Sequence, residues 1–228
     1  MSERAPATPR TRVTARVREL RFDAGSPALD LVATVGRRPS TPVERLGDHD
    51  RLRAWCQGVG LTLRDGEDGH ALLGALHELR SAATDVATAA VDGRAPRPES
   101  VALLNDLARV EPPVPRLRVD PEGRPGSGTE PLSSAQLLSV VARDLIALLT
   151  DPRLRDRLRT CAAEICGMVY LDHVNGNGKP RKWCSMERCG NNAKAARHRH
   201  RASASEPDQA SSTRLPDATA GAAARRRR

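Results

Sequence analysis

Aromatic side chains are nearly absent: two Trp, one Tyr and one Phe make up 2% of the 228 residues. A single-strand nucleic-acid binder built on stacking platforms needs such rings on its surface, so the shortage argues against that class. Long apolar runs are missing too. None approaches the roughly 20 residues that span a bilayer, so no membrane helix is expected. The opening MSERAPATPRTRVTARVREL carries positive charge but lacks the apolar centre of a secretory signal. Pro6 and Pro9 break any early amphipathic helix. No glycine-rich phosphate loop, Ser/His/Asp pattern or paired carboxylates stand out. His70 and His77 share a helix face, but no third ligand is placed to join them. An enzyme is therefore not expected.

Acidic residues are the minority: 28 Asp and Glu against 37 Lys and Arg leave a net charge of +9. A basic chain favours a polyanionic partner, either nucleic acid or an anionic membrane surface. Arg far outnumbers Lys and Ala is abundant, so part of this charge reflects composition. Cysteine is sparse as well, at five residues, yet four of them fall between positions 161 and 189. Paired cysteines in a reducing compartment are metal ligands more often than disulfides.

The pattern along the chain is mainly α. Residues 1–17 are rich in Arg, Pro and Thr and are expected to form a disordered arm. A helical domain is expected over 18–158. Ser26 and Pro27 provide a cap and a first-turn proline for a short helix through Leu29, Leu31, Val32 and Val35, with Gly36 as its C-cap. Arg37 and Arg38 then read as a solvated helix end. Asp48 caps a helix over 48–58 that turns Leu52, Trp55 and Cys56 inward. Cys56 reads as a buried thiol. The longest periodic stretch, 67–91, places Leu72, Leu76, Leu79, Ala83, Val86 and Ala90 on one stripe. Further helices are expected over 98–110 and from Ser133 or Ser134 through Leu148. Between them VPRLRV alternates like one short strand, and DPEGRPGSGTEP reads as a mobile loop. DPRLRDRLRT keeps helical phase, with Leu154 and Leu158 four apart, and joins the helical body to the cysteines without a flexible linker.

The cysteines are spaced C-x4-C, seventeen residues, C-x4-C. Each close pair offers two corners of a tetrahedron, and the insert returns the chain to close it. Cys161, Cys166, Cys184 and Cys189 are therefore expected to bind one zinc ion. Four thiolates leave no coordination position open, so the zinc is structural. MVYLDHV reads as a strand, NGNG as its turn and KPRKWC as the returning strand. The second pair then opens a helix, CGNNAKAARHRHR, capped by Asn191 or Asn192. The expected module, 159–202, is a small α+β finger of treble-clef or ribbon type. Arg181, Lys182, Arg188, Lys194, Arg197, Arg199 and Arg201 crowd around it, and Lys194, Arg197 and Arg201 share one helix face. Residues 203–228 lack periodicity and read as a disordered basic tail.

These residues resemble a known signature. RKWCSMERCGNNAKAARHRHR is similar to the CGNR zinc finger, through Trp183, Cys184, Ser185, Met186, Cys189, Gly190, Asn191, Lys194 and the following arginines. Cys161, Cys166 and the YLD at 170–172 also fit. Upstream, ALDLVATVGRR and LRAWC resemble the helical ABATE domain that accompanies this finger. The resemblance implies a bacterial, stress-related transcription regulator with a DNA-binding finger. Two departures are visible. Asn192 stands where the motif has arginine, and the hairpin is about two residues longer, an insertion that a turn tip tolerates.

The expectation is thus a cytoplasmic transcription regulator, nucleoid-associated when bound to double-stranded DNA. Its helical N-terminal domain would sense a ligand or form a homodimer. Lys194, Arg197, Arg199 and Arg201, with Arg181, Lys182 and Arg188, would meet phosphates, and Asn191 and Asn192 a phosphate or base edge. A protein-interaction adaptor and an RNA-binding protein are the competing readings.

Overall fold

The computed structural model describes residues 14–128, 130–173 and 180–204. The expected disorder at 1–13 and 205–228, and the NGNG turn, lie outside the described residues. The chain divides after Asn192 into two units. Among the described residues no helix is long and apolar enough to cross a membrane.

The first described element is a single helical turn, α1 (Ala15–Arg18), inside the stretch read as an arm. Its neighbour is α2 (Pro27–Val32), capped by the Ser26 hydroxyl and opened by Pro27 at its first position. Every α2 residue after Pro27 is buried, so this short helix runs through the core. The backbone then departs from expectation. Val35 and Gly36 form a strand, β1 (Val35–Gly36), antiparallel to β2 (Val43–Glu44), so Gly36 does not cap a helix.

Three helices carry most of the remaining core. They are α3 (His49–Gly58), α4 (Gly69–Asp92) and, after the connecting α5 (Pro98–Leu107), the later α6 (Ser134–Thr150). Asp48 and Asp68 cap α3 and α4 through their carboxylates. Ser133 and Gln136 form a reciprocal capping box at α6. Leu72, Leu76 and Leu79 of α4 meet Leu137, Val141 and Leu145 of α6 around Leu29, Leu31 and Trp55, all essentially sealed from solvent. Burying each such side chain contributes on the order of 2 kcal/mol. Cys56 belongs to this core, and burial pushes its thiol up to about 11. His77 Nε2 lies 2.7 Å from the Leu46 carbonyl oxygen.

Between α5 and α6 the chain folds as a hairpin, β3 (Leu117–Val119) against β4 (Pro125–Ser127). The expected strand is present, and the stretch read as a loop supplies its partner. After α6, α7 (Pro152–Arg155) lasts one turn, and the chain then extends as β5 (Leu158–Thr160). This corrects the helical reading of DPRLRDRLRT. The partner of β5 is β6 (Val169–Leu171), antiparallel, with Arg159 opposite Tyr170. KPRKWC is therefore not the returning strand, since its described residues run irregularly beside the hairpin. Tyr170, Val169, Met168 and Leu171 enter the same buried cluster as the helices. The cysteine module up to Asn192 and the helical body thus form one packed unit.

Candidate metal centre and basic helix

Hairpin β5–β6 carries the first cysteine pair at its tip. Cys161 directly follows β5, and its N–H donates to the Met168 carbonyl at 2.9 Å. A tight turn brings Cys166 back, with its N–H on the Ala163 carbonyl at 2.8 Å. Gly167 completes the reversal at φ 62. A Cβ there would meet the Pro39 ring at 2.6 Å, so both the backbone and the space require glycine.

The second pair arrives on a separate limb. The Ala162 N–H donates to the Lys182 carbonyl at 2.9 Å, laying residues 181–184 alongside the first knuckle. The Ser185 hydroxyl then caps a π-helical turn, Met186–Gly190, which carries Cys189 back over the site. All four sulfurs lie within 4.8 Å of one another. Cys184 Sγ is 3.7 Å from Cys166 Sγ and 3.5 Å from Cys189 Sγ. A tetrahedral zinc shell with bonds near 2.3 Å spaces its sulfurs ~3.8 Å apart, whereas a disulfide needs about 2.05 Å. The cysteines are free and fit the metal. They are positioned to bind one zinc ion.

The surroundings suit a charged sulfur shell. Hydrogen bonds among the four sulfurs hold the Cys161 thiol below its usual range and push those of Cys166 and Cys189 above it. The Cys161 sulfur also accepts from the Cys184 N–H at 3.5 Å. The Arg21 guanidinium, buried beneath the centre, donates to Cys184 Sγ at 3.3 Å. Burial opposes the Arg21 charge, but hydrogen bonds to Asp23 and the neighbouring Cys184 outweigh it and raise its pKa.

Two comparisons with known families match. One family model, described as "putative stress-induced transcription regulator" (ABATE), covers residues 25–152. A second, the CGNR zinc finger, covers residues 157–202. The chain belongs to the ABATE family and carries a CGNR zinc finger. A comparison with the curated proteins found no match. The finger is a zinc-binding module, and the family assignment makes the chain a zinc-binding regulatory protein.

Within the CGNR finger the predicted nucleic-acid residues separate by position. Arg181 is turned inward. Its Nε and its backbone N–H both donate to the buried Asp172 carboxylate at 3.0 Å, and its Nη2 to the Leu171 carbonyl at 2.9 Å. The guanidinium lies 4.8 Å from the Tyr170 ring centre. Tyr170 returns a hydrogen bond to the Arg181 carbonyl at 2.6 Å. The YLD sequence thus clamps the limb that delivers the second cysteine pair. Arg188 is also engaged, donating to the Arg16 carbonyl at 2.8 Å and to Glu19 at 2.7 Å. Lys182, Asn191 and Asn192 are exposed, and Asn192 Nδ2 donates to the Arg188 carbonyl at 2.5 Å.

The remaining cations sit on α8 (Asn191–Ala204), which starts two residues after Cys189. Lys194, Arg197, Arg199 and Arg201 are all exposed on it. Sequence reasoning missed Arg21, whose partner at the metal centre, Cys184, lies 163 residues along the chain, and it met Asp172 only within the YLD of the signature, not as the partner of Arg181.

Proposed function

We propose that this ABATE–CGNR protein is a DNA-binding transcription regulator in which the zinc ion braces the root of a basic helix. The observation that carries this reading is α8: four exposed cations on a helix that starts two residues after the last zinc ligand. Lys194, Arg197 and Arg201 follow three- and four-residue steps and so share one face suited to a phosphate backbone. Asn191 and Asn192 at the helix start are short enough to read a base edge or phosphate in the major groove. Lys182 adds a further phosphate contact. Arg181 and Arg188 act instead as scaffold, since carboxylates and carbonyls already take their hydrogen bonds.

The zinc supplies no reaction in this reading, because four thiolates fill its coordination sphere. The helical ABATE portion serves sensing or dimerisation, and the protein works in the cytoplasm on the nucleoid. Binding to a labelled duplex should fall steeply as salt rises. Arg197→Ala should reduce the log–log salt slope by about one. A slope unchanged by Arg197→Ala would remove that residue from the interface.

A further inference from the structure

The most exposed apolar side chains among the described residues lie on one stretch. Val114, Leu117 and Val119 are 73%, 76% and 61% exposed, whereas the next, Met186, reaches 47%. Leu117 and Val119 are two apart on β3, so they stand on the same face of the β3–β4 hairpin. A two-stranded hairpin by itself is marginal in water, and a further strand against it adds what it lacks.

Hydrogen bonds show which edge of this hairpin is open. The Arg116 carbonyl accepts from the Gly128 N–H at 2.7 Å, and the Asp120 N–H donates to the Arg124 carbonyl at 3.0 Å. Arg118 lies between them, opposite Gly126. In an antiparallel ladder such alternate residues direct their main-chain groups to the neighbouring strand, and the residues between them point the other way. Leu117 and Val119 therefore turn both N–H and C=O outward, away from β4. The outward residues of β4 are Pro125 and Ser127. Pro125 has no N–H to give, which blunts that edge against pairing. On β3 the outward donors are intact.

The β3 edge also fits itself. Two copies laid antiparallel across a two-fold axis can place Leu117, Arg118 or Val119 on that axis. Leu117 on the axis sets Val119 opposite the partner's Pro115, and Val119 on the axis sets Leu117 opposite the partner's Pro121. Either proline leaves a carbonyl without its donor. With Arg118 on the axis, Leu117 faces the partner's Val119, and each donates to and accepts from the other. The same register sets Arg116 opposite the partner's Asp120, a pair of opposite charges on each side of the axis. Within one chain Arg116 pairs with Glu130 at 3.2 Å and Asp120 with Arg124 at 2.8 Å, and both keep accessible surface. Arg118 alone meets a like charge, the partner's Arg118.

We propose that the open edge of β3 is a homodimer interface, in which two chains pair about a two-fold axis at Arg118 and form one sheet ordered β4, β3, β3, β4. Leu117 and Val119 of both copies then gather on one face, and the charged side chains share the other. The hairpin lies within the ABATE match. This dimer rests on the dimerising reading of that portion and gives it a surface. Strands this short bury an area at the lower end for specific interfaces, so the dimer is a weak, micromolar one.

Sedimentation equilibrium of the zinc-loaded full chain tests this without DNA. Wild type should pass from monomer to dimer with a micromolar dissociation constant. Leu117→Lys should weaken the dimer at least about tenfold, with an unchanged melting temperature in dilute solution because the side chain is exposed. Val101→Lys, at an exposed apolar position on α5, should leave the constant as it is. Arg118→Thr removes the facing cations and should tighten the dimer about threefold, a gain that a merely adhesive patch would not show. A chain that stays monomeric at about 500 µM overturns the interface and takes dimerisation from the regulator. A dimer that survives Leu117→Lys overturns β3 as its surface while dimerisation of the regulator stands. A dimer that Arg118→Thr does not tighten overturns the axis at Arg118.

Discussion

Single side chains decide how the metal centre is held and how the core responds to pH. Arg181 looks like a free cation in the sequence, surrounded as it is by Lys182 and Pro180. Its partner Asp172 lies nine residues back in the chain. Arg21 and Cys184 are 163 residues apart, beyond any local pattern. Arg181→Ala would leave the Asp172 carboxylate buried without its cation. We expect that variant to release zinc to a chelator at least several-fold faster, while Lys182→Ala releases it at the wild-type rate. Asp30 gives a different signature. Burial drives its carboxyl up to about 7, against the Ala24 N–H that it accepts, with Asp23 and Asp144 adding to the rise. A carboxyl raised in the folded state contributes full stability below its ordinary value, and that contribution is lost as pH rises through about 7. Asp30→Asn should therefore match wild type in melting temperature near pH 4 and exceed it by pH 8. Parallel melting curves at the two pH values check this, and a gap that is constant with pH would assign Asp30 an ordinary pKa.

At the scale of elements, the helices were legible because their ends are written in side-chain chemistry. Ser26–Pro27, Asp48 and Ser133 announce α2, α3 and α6, and the observed starts agree. Ser133→Ala removes the hydroxyl half of the α6 capping box and should cost about 1 kcal/mol in denaturant unfolding. The four-cysteine centre was legible too, since ligand chemistry leaves few other uses for two close pairs. Strands were read less well. Leu154 and Leu158 satisfy a helical step, yet Leu158, Arg159 and Thr160 extend because Val169, Tyr170 and Leu171 offer both hydrogen bonds and a buried face. That choice depends on a partner in space, which periodicity does not encode. The same holds for Gly36, which ends no helix and instead leaves space for Arg45.

For the molecule as a whole, the cysteine module and the ABATE helices share one hydrophobic cluster. Cys161 and Cys184 are buried in it with Leu158, Tyr170 and the α2 side chains. Zinc binding to such a module is folding free energy. Stripping the metal should therefore loosen more than the finger. Hydrogen exchange after chelation should accelerate in α2 and β6 together; acceleration confined to residues beyond 157 would mean that the finger folds on its own. Most of the cationic face proposed to meet DNA lies on α8, which starts two residues after Cys189. The direct test of that account is anisotropy of a fluorescent duplex at low salt, titrated with zinc-loaded protein and with a Cys184→Ser, Cys189→Ser double variant. The account predicts that the loaded protein binds with a steep salt dependence and that the variant binds at least about tenfold more weakly. Loaded protein with no duplex affinity, or a variant that binds equally well, would contradict it.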